Sequence, residues 1–539
     1  MSQFDKAKVD YSLYLVTNRE MIPDGITIFE QVERAIMNGV TIVQLREKEA
    51  ETKEFVEIAK KIHQLTMKYN IPLIINDRVD VALAVDAEGV HIGQDDMDAE
   101  TVRKLIGDNK ILGVSCGYVE DVQNVIKSEA KIDYIGIGAV FPTNTKKLKK
   151  VPFGTDGIKK LLTVLRDNGG QHIKSVIIGG LNKSNIAQVL YTSSIPGKAT
   201  DGVAVVSCIM AQEDALKETK ATLACIKEVG PWVKKDQILT DLQLSRDYFT
   251  SSKFKDIIYT LKNIKPMVHH ITNNVVKNFS ANVTISIGGS PIMSELVQEF
   301  EDFAQFPNTG LLLNTGTPTE ETLPVFLEAV KAYNLNGSPV VYDPVGCGAS
   351  GARKRYMSEI LNHGYFTVIK GNTGEILTAA GFDSRMKGVD VMDSSQSHQY
   401  LIDAAKKLAV SQRCVVVLTG ELDIIVDGIV DPTIIKIPRN FEPVVAVIKG
   451  GHELMGNITG SGCALGSVIT AFVASNSTKN VFFSTISAVM LFKEAGYLAG
   501  KISDGPGSFM LNFLDQLYKI SHLESFKDGN WNTSVSFPL

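Results

Sequence analysis

Eight short, mostly apolar runs alternate with stretches of helical periodicity in the first 210 residues of the chain. They fall at residues 13–16, 40–45, 73–76, 89–93, 111–115, 134–140, 175–180 and 202–207. Most are apolar throughout, as parallel strands buried on both faces are; a strand with one wet face would alternate. Between them, segments such as 28–37 (IFEQVERAIM) and 55–67 (FVEIAKKIHQLTM) repeat apolar residues at i, i+3, i+4 and i+7, the pattern of an amphipathic helix. Eight such units in this length predict a closed (β/α)8 TIM barrel, with an open doubly wound sheet as the competing arrangement.

Charge rises over residues 210–262, as expected of a last barrel helix and a polar connector. The boundary is expected near Lys234 to Asp241, dividing the chain into residues 1–235 and 236–539. Beyond Pro266 a second α/β pattern begins, with strands expected at 267–271, 310–314, 339–343, 367–370 and 414–419. Crossovers of this length favour a mostly parallel sheet with helices on its faces. Of the 539 residues, 44% are hydrophobic and 21% charged, enough to build two packed cores. A net charge of −5 gives no reason to expect nucleic acid or an acidic membrane as partner. The six cysteines form no CxxC pair, which argues against a disulfide framework or zinc site and for a reducing, cytoplasmic setting. The N-terminus carries no signal-like apolar run, and the most apolar late stretch, 481–492, is shorter than the roughly 20 residues a bilayer crossing needs.

Barrel active sites form at the C-terminal ends of the strands. There this sequence places Gln44, Arg46 and Lys48 after run two, Asn76 and Asp77 after run three, and Asp96 after run four. Ser115 ends run five, Thr143, Thr145 and Lys146 follow run six, Gly180 ends run seven, and Val206 and Ser207 end run eight. Each residue alone is explained as a solvated rim side chain. Together they form a phosphate chemistry: Arg46, Lys48 and Lys146 are cations, and Asp77 and Asp96 are hard ligands able to share Mg²⁺. Gly180 and Ser207 stand where barrels commonly bind a phosphate. The set implies one substrate with a diphosphate on Mg²⁺ and a second with a monophosphate. His91, at a strand position, reads as a satisfied core histidine.

In order, QLREK, IIND, HIGQDD, GVS, PTNTK and IIGG resemble thiamine phosphate synthase over about residues 10–225. The resemblance implies condensation of a hydroxymethylpyrimidine diphosphate with a thiazole phosphate, giving thiamine phosphate and diphosphate. It assigns Gln44, Arg46, Lys48, Asn76, Ser115 and Lys146 to the pyrimidine diphosphate and Asp77 and Asp96 to Mg²⁺. Thr143, Thr145, Gly180, Val206 and Ser207 go to the thiazole phosphate. Mg²⁺ and the basic side chains would stabilise charge as it gathers on the departing diphosphate. Ser115 has no His or Lys neighbour in sequence to activate it, so it is expected to position rather than attack.

In the second half, the TGSGCALG segment from Thr459 precedes a helical pattern, so glycine N–H groups and the helix dipole can face an anion; a plain glycine turn is the alternative. Asp343, Lys370, Glu375 and Thr419 lie at or just after the ends of apolar runs, where open sheets bind ligands. GCGASG at 346–351 matches GxGxxG but lacks the dinucleotide-binding context, and neither a P-loop nor a protein-kinase HRD set is present. ITNNVV, GGSPIM, LNTGT, YDPVGCGA, KGNTGE, LTGELD and TGSGC, in order, resemble hydroxyethylthiazole kinase of the ribokinase-like group over about residues 255–520. That implies ATP-dependent phosphorylation of a thiazole alcohol. It places Met293 and Gly460 at the thiazole, Lys370 and Thr419 at ATP, Asp343 and Glu375 around Mg²⁺, and Cys463 at the catalytic position. It also implies a homo-oligomer built on a kinase trimer.

Two residues depart from the usual pattern. Lys370 stands for Arg and loses the two-pronged contact, and Cys463 stands where the wider group has Asp. The kinase product is the synthase substrate, so one chain is expected to run consecutive steps. The alternative is an active kinase fused to a non-catalytic thiamine-sensing or thiazole tautomerase-like barrel, which would have no use for Arg46, Lys48, Asp77, Asp96 and Lys146 together.

Overall fold

The computed structural model describes residues 4–145, 151–228, 230–232, 251–382, 386–387, 390–391, 397–429, 436–475, 480–522 and 533–537. Lys146 and the expected boundary region at 234–241 lie outside these residues. The chain divides into two compact units, one of Met1–Val229 with Ile435–Asn440, the other of Gly230–Ile434 with Phe441–Leu539.

The first unit is a closed barrel of eight parallel strands in sequence order: β1 (Leu13–Val16), β2 (Ile42–Leu45), β3 (Leu73–Asn76), β4 (Gly89–Ile92), β5 (Ile111–Cys116), β6 (Tyr134–Ile137), β7 (Lys174–Ile178) and β8 (Gly202–Val205). Each run ends within a few residues of its expected place, and the open-sheet alternative is excluded because β8 pairs with β1. Helices follow the strands and carry their own start signals. Thr27, for example, caps Ile28–Ile36 in a reciprocal box with Glu30. Outward-facing strand residues such as Leu15, Val43, Ile75 and Val90 pack against these helices in one shell, while Tyr11, Tyr14, Ile42, Ile74, Ile111, Tyr134, Val176 and Ala204 fill the barrel.

In the second unit nine strands of the described residues form one sheet, in the order β10-β9-β11-β12-β13-β16-β17-β18-β19. These are β9 (Met267–Ile271), β10 (Ser290–Met293), β11 (Thr309–Asn314), β12 (Val340–Asp343), β13 (Val368–Asn372), β16 (Val415–Thr419), β17 (Leu422–Asp427), β18 (Val444–Lys449) and β19 (Ser534–Ser536). A separate small hairpin supplies β14 (Met386–Lys387) and β15 (Asp390–Val391). Six strands are parallel; β17, β18 and β19 run antiparallel to their neighbours, which makes the sheet mixed. The five expected strands are present, and β10 and the antiparallel edge are additional. The helix Ser461–Ser475 packs over β9, β11 and β12. Its close approach uses Gly466, where a Cβ would lie 2.9 Å from Leu312, and Gly310, where one would lie 2.9 Å from Thr470.

The apolar stretch expected at 481–492 continues as a 20-residue helix, Val481–Gly500, which is long and apolar enough to cross a membrane. The sequence-based length was therefore too short. The helix is mostly buried inside its unit, between Ser461–Ser475 and Pro506–Ser521, and that position explains its all-round apolarity.

The barrel closure yields a direct test. Gly202 opens β8, and a Cβ there would lie 1.7 Å from the Tyr11 carbonyl oxygen, a backbone atom that cannot swing aside. Gly202→Ala is expected to lower barrel stability by roughly 1–3 kcal/mol, an overpacking cost. Chemical denaturation followed by tryptophan-independent barrel probes, such as synthase activity, checks it; an unchanged midpoint would show that the Tyr11 segment yields.

Candidate active sites

Strand alternation decides which side chains enter the barrel. In β1, Leu13 and Leu15 face the helices, while Tyr14 and Val16 face inward. The same parity turns Gln44 inward behind Ile42, Asn76 behind Ile74, and Ser115 behind Ile111 and Gly113. His91 follows because its neighbours Val90 and Ile92 face the helices. Gln44 and His91 are buried, Asn76 and Ser115 half-buried, and Lys48 and Asp96 exposed at the rim.

At the rim, the Lys48 ammonium pairs with the Asp77 carboxylate. Asp77 sits in the left-handed region at φ 62°, which Asp tolerates better than most residues, and its N–H donates to the His91 carbonyl at 2.8 Å. Asp96 accepts the Gly93 N–H at 2.7 Å. Burial, followed by its contact with Asp77, pushes the Asp96 carboxyl up. Two adjacent carboxylates are a donor set for a divalent cation, which commonly takes one or two carboxylates and completes its shell with substrate phosphate. Thr143 and Thr145 touch through their hydroxyls at 2.9 Å. Gly180 has φ +67°, and a Cβ there would meet the Pro142 carbonyl oxygen at 2.7 Å, so this backbone lies tight against the loop after β6. Val206 precedes the one-turn helix Ser207–Met210.

Beneath the rim runs a polar chain that sequence reasoning did not find. Gln44 Nε2 donates to Tyr14 Oη at 2.8 Å, and Tyr14 and Tyr134 hydroxyls lie 2.6 Å apart. His91 Nδ1 is 2.8 Å from Tyr134 Oη, and its Nε2 is 2.9 Å from Ser115 Oγ. Ser115 therefore has a histidine partner after all, brought from β4 to β5 by the ladder rather than by sequence proximity. The core reading of His91 fits its two bonds.

The second unit assembles its polar residues on one face of the sheet. Val268, Leu312, Val341, Val368 and Val417 face the helix Ser461–Ser475, so Asn314, Asp343, Lys370 and Thr419, two residues further along their strands, face the same way. Lys370 Nζ donates to Asp343 Oδ2 at 3.0 Å, and both side chains are almost wholly buried. Asn314 Nδ2 donates to the same oxygen at 2.9 Å, Asn273 Nδ2 donates to Asn314 Oδ1 at 2.9 Å, and Asn273 also reaches Cys463 Sγ at 3.8 Å. Burial pushes the Asp343 carboxyl up against the pull of Lys370, and its Oδ1 is buried with no hydrogen-bond partner among the described residues. An acceptor left over in this way suits a cation or a substrate hydroxyl.

Glu375 is spoken for. Its two oxygens accept the N–H groups of Gly346 (2.8 Å) and Asn372 (2.7 Å), the latter in a reciprocal cap with Asn372. Burial, then Asp343, raises it to about 7. Glu375 thus shapes two loops. Thr419 Oγ1 donates to the Gly371 carbonyl at 3.2 Å, and the turn after it is held by Lys493, which donates to the Gly420 carbonyl and pairs with Asp423. Met293 ends β10, half-buried. Gly460 has φ +88°, with Val276 only 2.7 Å from where a Cβ would lie. Cys463 lies in the first turn of Ser461–Ser475, and burial followed by Asp343 raises its thiol to about 11. Asn273, Asn314 and Lys493 were missed as site residues. For Asn314 a signal exists, a polar residue closing an apolar strand just as Asp343 does.

Known proteins agree with this division. The family model "Thiamine monophosphate synthase" matches residues 13–209, and "Hydroxyethylthiazole kinase family" matches residues 258–523. The "Thiamine biosynthetic bifunctional enzyme" of Saccharomyces cerevisiae is 41% identical over 545 residues, covering 99% of both chains. The "Probable thiamine biosynthetic bifunctional enzyme" of Schizosaccharomyces pombe is 40% identical, covering 96% of both. The "Thiamine-phosphate synthase" of Clostridium botulinum is 46% identical over 216 residues, 40% of this chain and 93% of its own. These relations do not favour a non-catalytic barrel, and the chain belongs to the family of bifunctional thiamine biosynthetic enzymes, with a thiamine-phosphate synthase unit and a hydroxyethylthiazole kinase unit.

Proposed function

We propose that the barrel binds the pyrimidine diphosphate with its ring toward Gln44, Asn76 and Ser115 and its diphosphate on Arg46, Lys48 and Lys146, and that Asp77 and Asp96 hold Mg²⁺. The observation that carries this is the placement of Asp77 and Asp96 together at the rim beside the Lys48 ammonium, two carboxylates that suit a divalent cation. Bound there, Mg²⁺ would supply positive charge to the departing diphosphate. Lys48, now paired with Asp77, is positioned to pass to the diphosphate once the carboxylates are otherwise engaged. Thr143, Thr145, Gly180, Val206 and Ser207 line the side on which the thiazole phosphate binds. The thiazole nitrogen is itself the nucleophile, so the barrel needs to orient and to stabilise charge more than to move protons.

In the kinase unit, Lys370 and Thr419 contact ATP, Met293 and Gly460 line the thiazole pocket, and Asp343 is the carboxylate available for Mg²⁺. Glu375 organises the metal indirectly, by holding the Gly346 and Asn372 peptides. Phosphoryl transfer with a loose transition state depends mainly on positioning and charge. The Gly460 and Gly462 backbone beside the Ser461–Ser475 N-terminus therefore matters more than the Cys463 sulfur, which burial keeps protonated at neutral pH. The assembly is a homo-oligomer built on a kinase trimer. The six free cysteines suit a reducing cytoplasm.

Product analysis tests the two-site reading. Purified protein given thiazole alcohol, ATP, Mg²⁺ and pyrimidine diphosphate is expected to yield thiamine phosphate. Asp77→Asn should stop at thiazole phosphate, and Lys370→Ala should make thiamine phosphate only when thiazole phosphate is supplied. Thiamine phosphate from Asp77→Asn at the unaltered rate would contradict the metal assignment. A second expectation concerns Cys463. A true general base contributes about 10²- to 10⁴-fold, whereas Cys463→Ala is expected to keep kinase kcat within roughly tenfold. Loss of all turnover in both Cys463→Ala and Cys463→Asp, with folding intact, would make the thiol the essential base.

A further inference from the structure

We propose that Tyr14, Tyr134 and His91 form a directional hydrogen-bond relay that joins Gln44 to Ser115 and fixes which end donates to the pyrimidine ring. The inference rests on the reading of Gln44 and Ser115 as ring contacts. Its direction follows from counting protons. Gln44 Nε2 donates to Tyr14 Oη. A phenol has one proton, and Tyr14 has Tyr134 Oη at 2.6 Å to receive it. Tyr134 then donates its own proton to His91 Nδ1. A neutral imidazole that accepts at Nδ1 carries its proton on Nε2, so His91 donates to Ser115 Oγ. The Ser115 hydroxyl proton is left to donate outward, to an acceptor such as a ring nitrogen. With Nε2 committed to Tyr14, Gln44 presents Oε1, which takes a donor such as an exocyclic amine. Turning the Gln44 amide over would reverse every bond in the chain and turn Ser115 from donor to acceptor.

The relay is a built feature. Tyr14 and Tyr134 are each 1% exposed, so water does not substitute for a missing member. Burial raises both phenols, which therefore keep their protons at neutral pH. His91, Gly113 and Tyr134 lie side by side in the β4-β5-β6 ladder. A Cβ at Gly113 would sit 2.1 Å from the Tyr134 ring, and one at Gly136 would sit 3.2 Å from His91. Two strand positions that could hold β-branched residues are left empty so that the ring and imidazole can meet. The direction also bears on Ser115 itself. A histidine that donates to the hydroxyl is not acting as its base, so Ser115 positions substrate despite having a histidine partner.

The chain of partners makes Tyr14, Tyr134 and His91 positioning residues with a specificity role. Substrates that present a donor amine beside a ring acceptor fit, and the analogue with an oxo group in place of the amine meets the wrong polarity at Gln44. Three measurements test this. First, ¹⁵N NMR of the unaltered protein should show His91 as the Nε2–H tautomer, and Tyr134→Phe should shift it toward a mixture; an Nδ1–H tautomer in the unaltered protein would overturn the proposed direction. Second, Tyr134→Phe and Tyr14→Phe should each raise KM for the pyrimidine diphosphate about tenfold, the size of one buried bond lost. Each should also narrow discrimination against the oxo analogue, with KM for thiazole phosphate and the kinase rate unmoved. The double variant should be no worse than either single one, because one relay is broken once. Multiplying losses, or equal effects on both substrates, would overturn the relay in favour of plain core packing. Third, Gln44→Ala and Ser115→Ala separate the two claims. If they leave the pyrimidine diphosphate KM unchanged, the ring-contact reading falls and the relay with it; if they raise it while the tyrosine variants do not, only the relay falls. Should Tyr134→Phe fail to fold, Tyr14→Phe and the His91 spectrum carry the test.

Discussion

The polar interior of the barrel follows from the strand pleat: successive side chains of a strand point to opposite sides. Once Leu13 and Leu15 are committed to the helices, Tyr14 must enter the barrel, and closure through β8 fixes the register around the ring. Gln44, Asn76, His91 and Ser115 then have no choice of side. A slip of one residue in β2 would bury Leu45 inside and send Gln44 to the helix shell. The polar interior is tolerable because its members satisfy one another: Gln44, two tyrosines, a histidine and a serine form a continuous set of bonds. A gap anywhere would leave a buried polar atom unmatched, which costs about 1–3 kcal/mol.

The second unit solves the same problem with charge. Its sheet carries Asp343 and Lys370 on the face covered by the Ser461–Ser475 helix, and neither could be buried alone. Pairing them, and backing Asp343 with Asn314, leaves Asp343 Oδ1 buried with no hydrogen-bond partner among the described residues. Glu375 contributes by a different route: by capping its own helix and binding the Gly346 N–H, it ties two loops to one carboxylate. Lys493 does similar work under the Thr419 turn from a helix remote in sequence.

Much of this was legible in the sequence, for identifiable reasons. The eight barrel strands are short, apolar and bounded by polar strand ends, so the fold and the strand-end positions of the described rim residues could be read from it. The five central strands of the second sheet share that signature. β10, with the sequence SPIM and a proline inside it, does not, and the antiparallel strands β17 and β18 lie outside the helix-separated rhythm that marks parallel strands. The helix Val481–Gly500 was under-measured because Lys493 and Glu494 interrupt its apolar run; in the structure both are buried, Lys493 against Asp423 and Glu494 against the Thr533 N–H. The Tyr14–Tyr134–His91 chain was invisible for a deeper reason. Its members are 43 to 120 residues apart, and only ladder register brings them together.

On the reading proposed above, the barrel's inner face, from Gln44 to Ser115, seats the pyrimidine ring, with Asp77 and Asp96 beside its diphosphate. The most direct test is a crystal structure of the full chain with Mg²⁺ and the pyrimidine diphosphate. The expected result is the ring against Gln44 and Ser115, a metal ion bound by Asp77 and Asp96, and Lys48 shifted from Asp77 to a phosphate oxygen. A ring seated elsewhere, or a diphosphate bound with Asp77 still paired to Lys48 and no metal on either carboxylate, would contradict it.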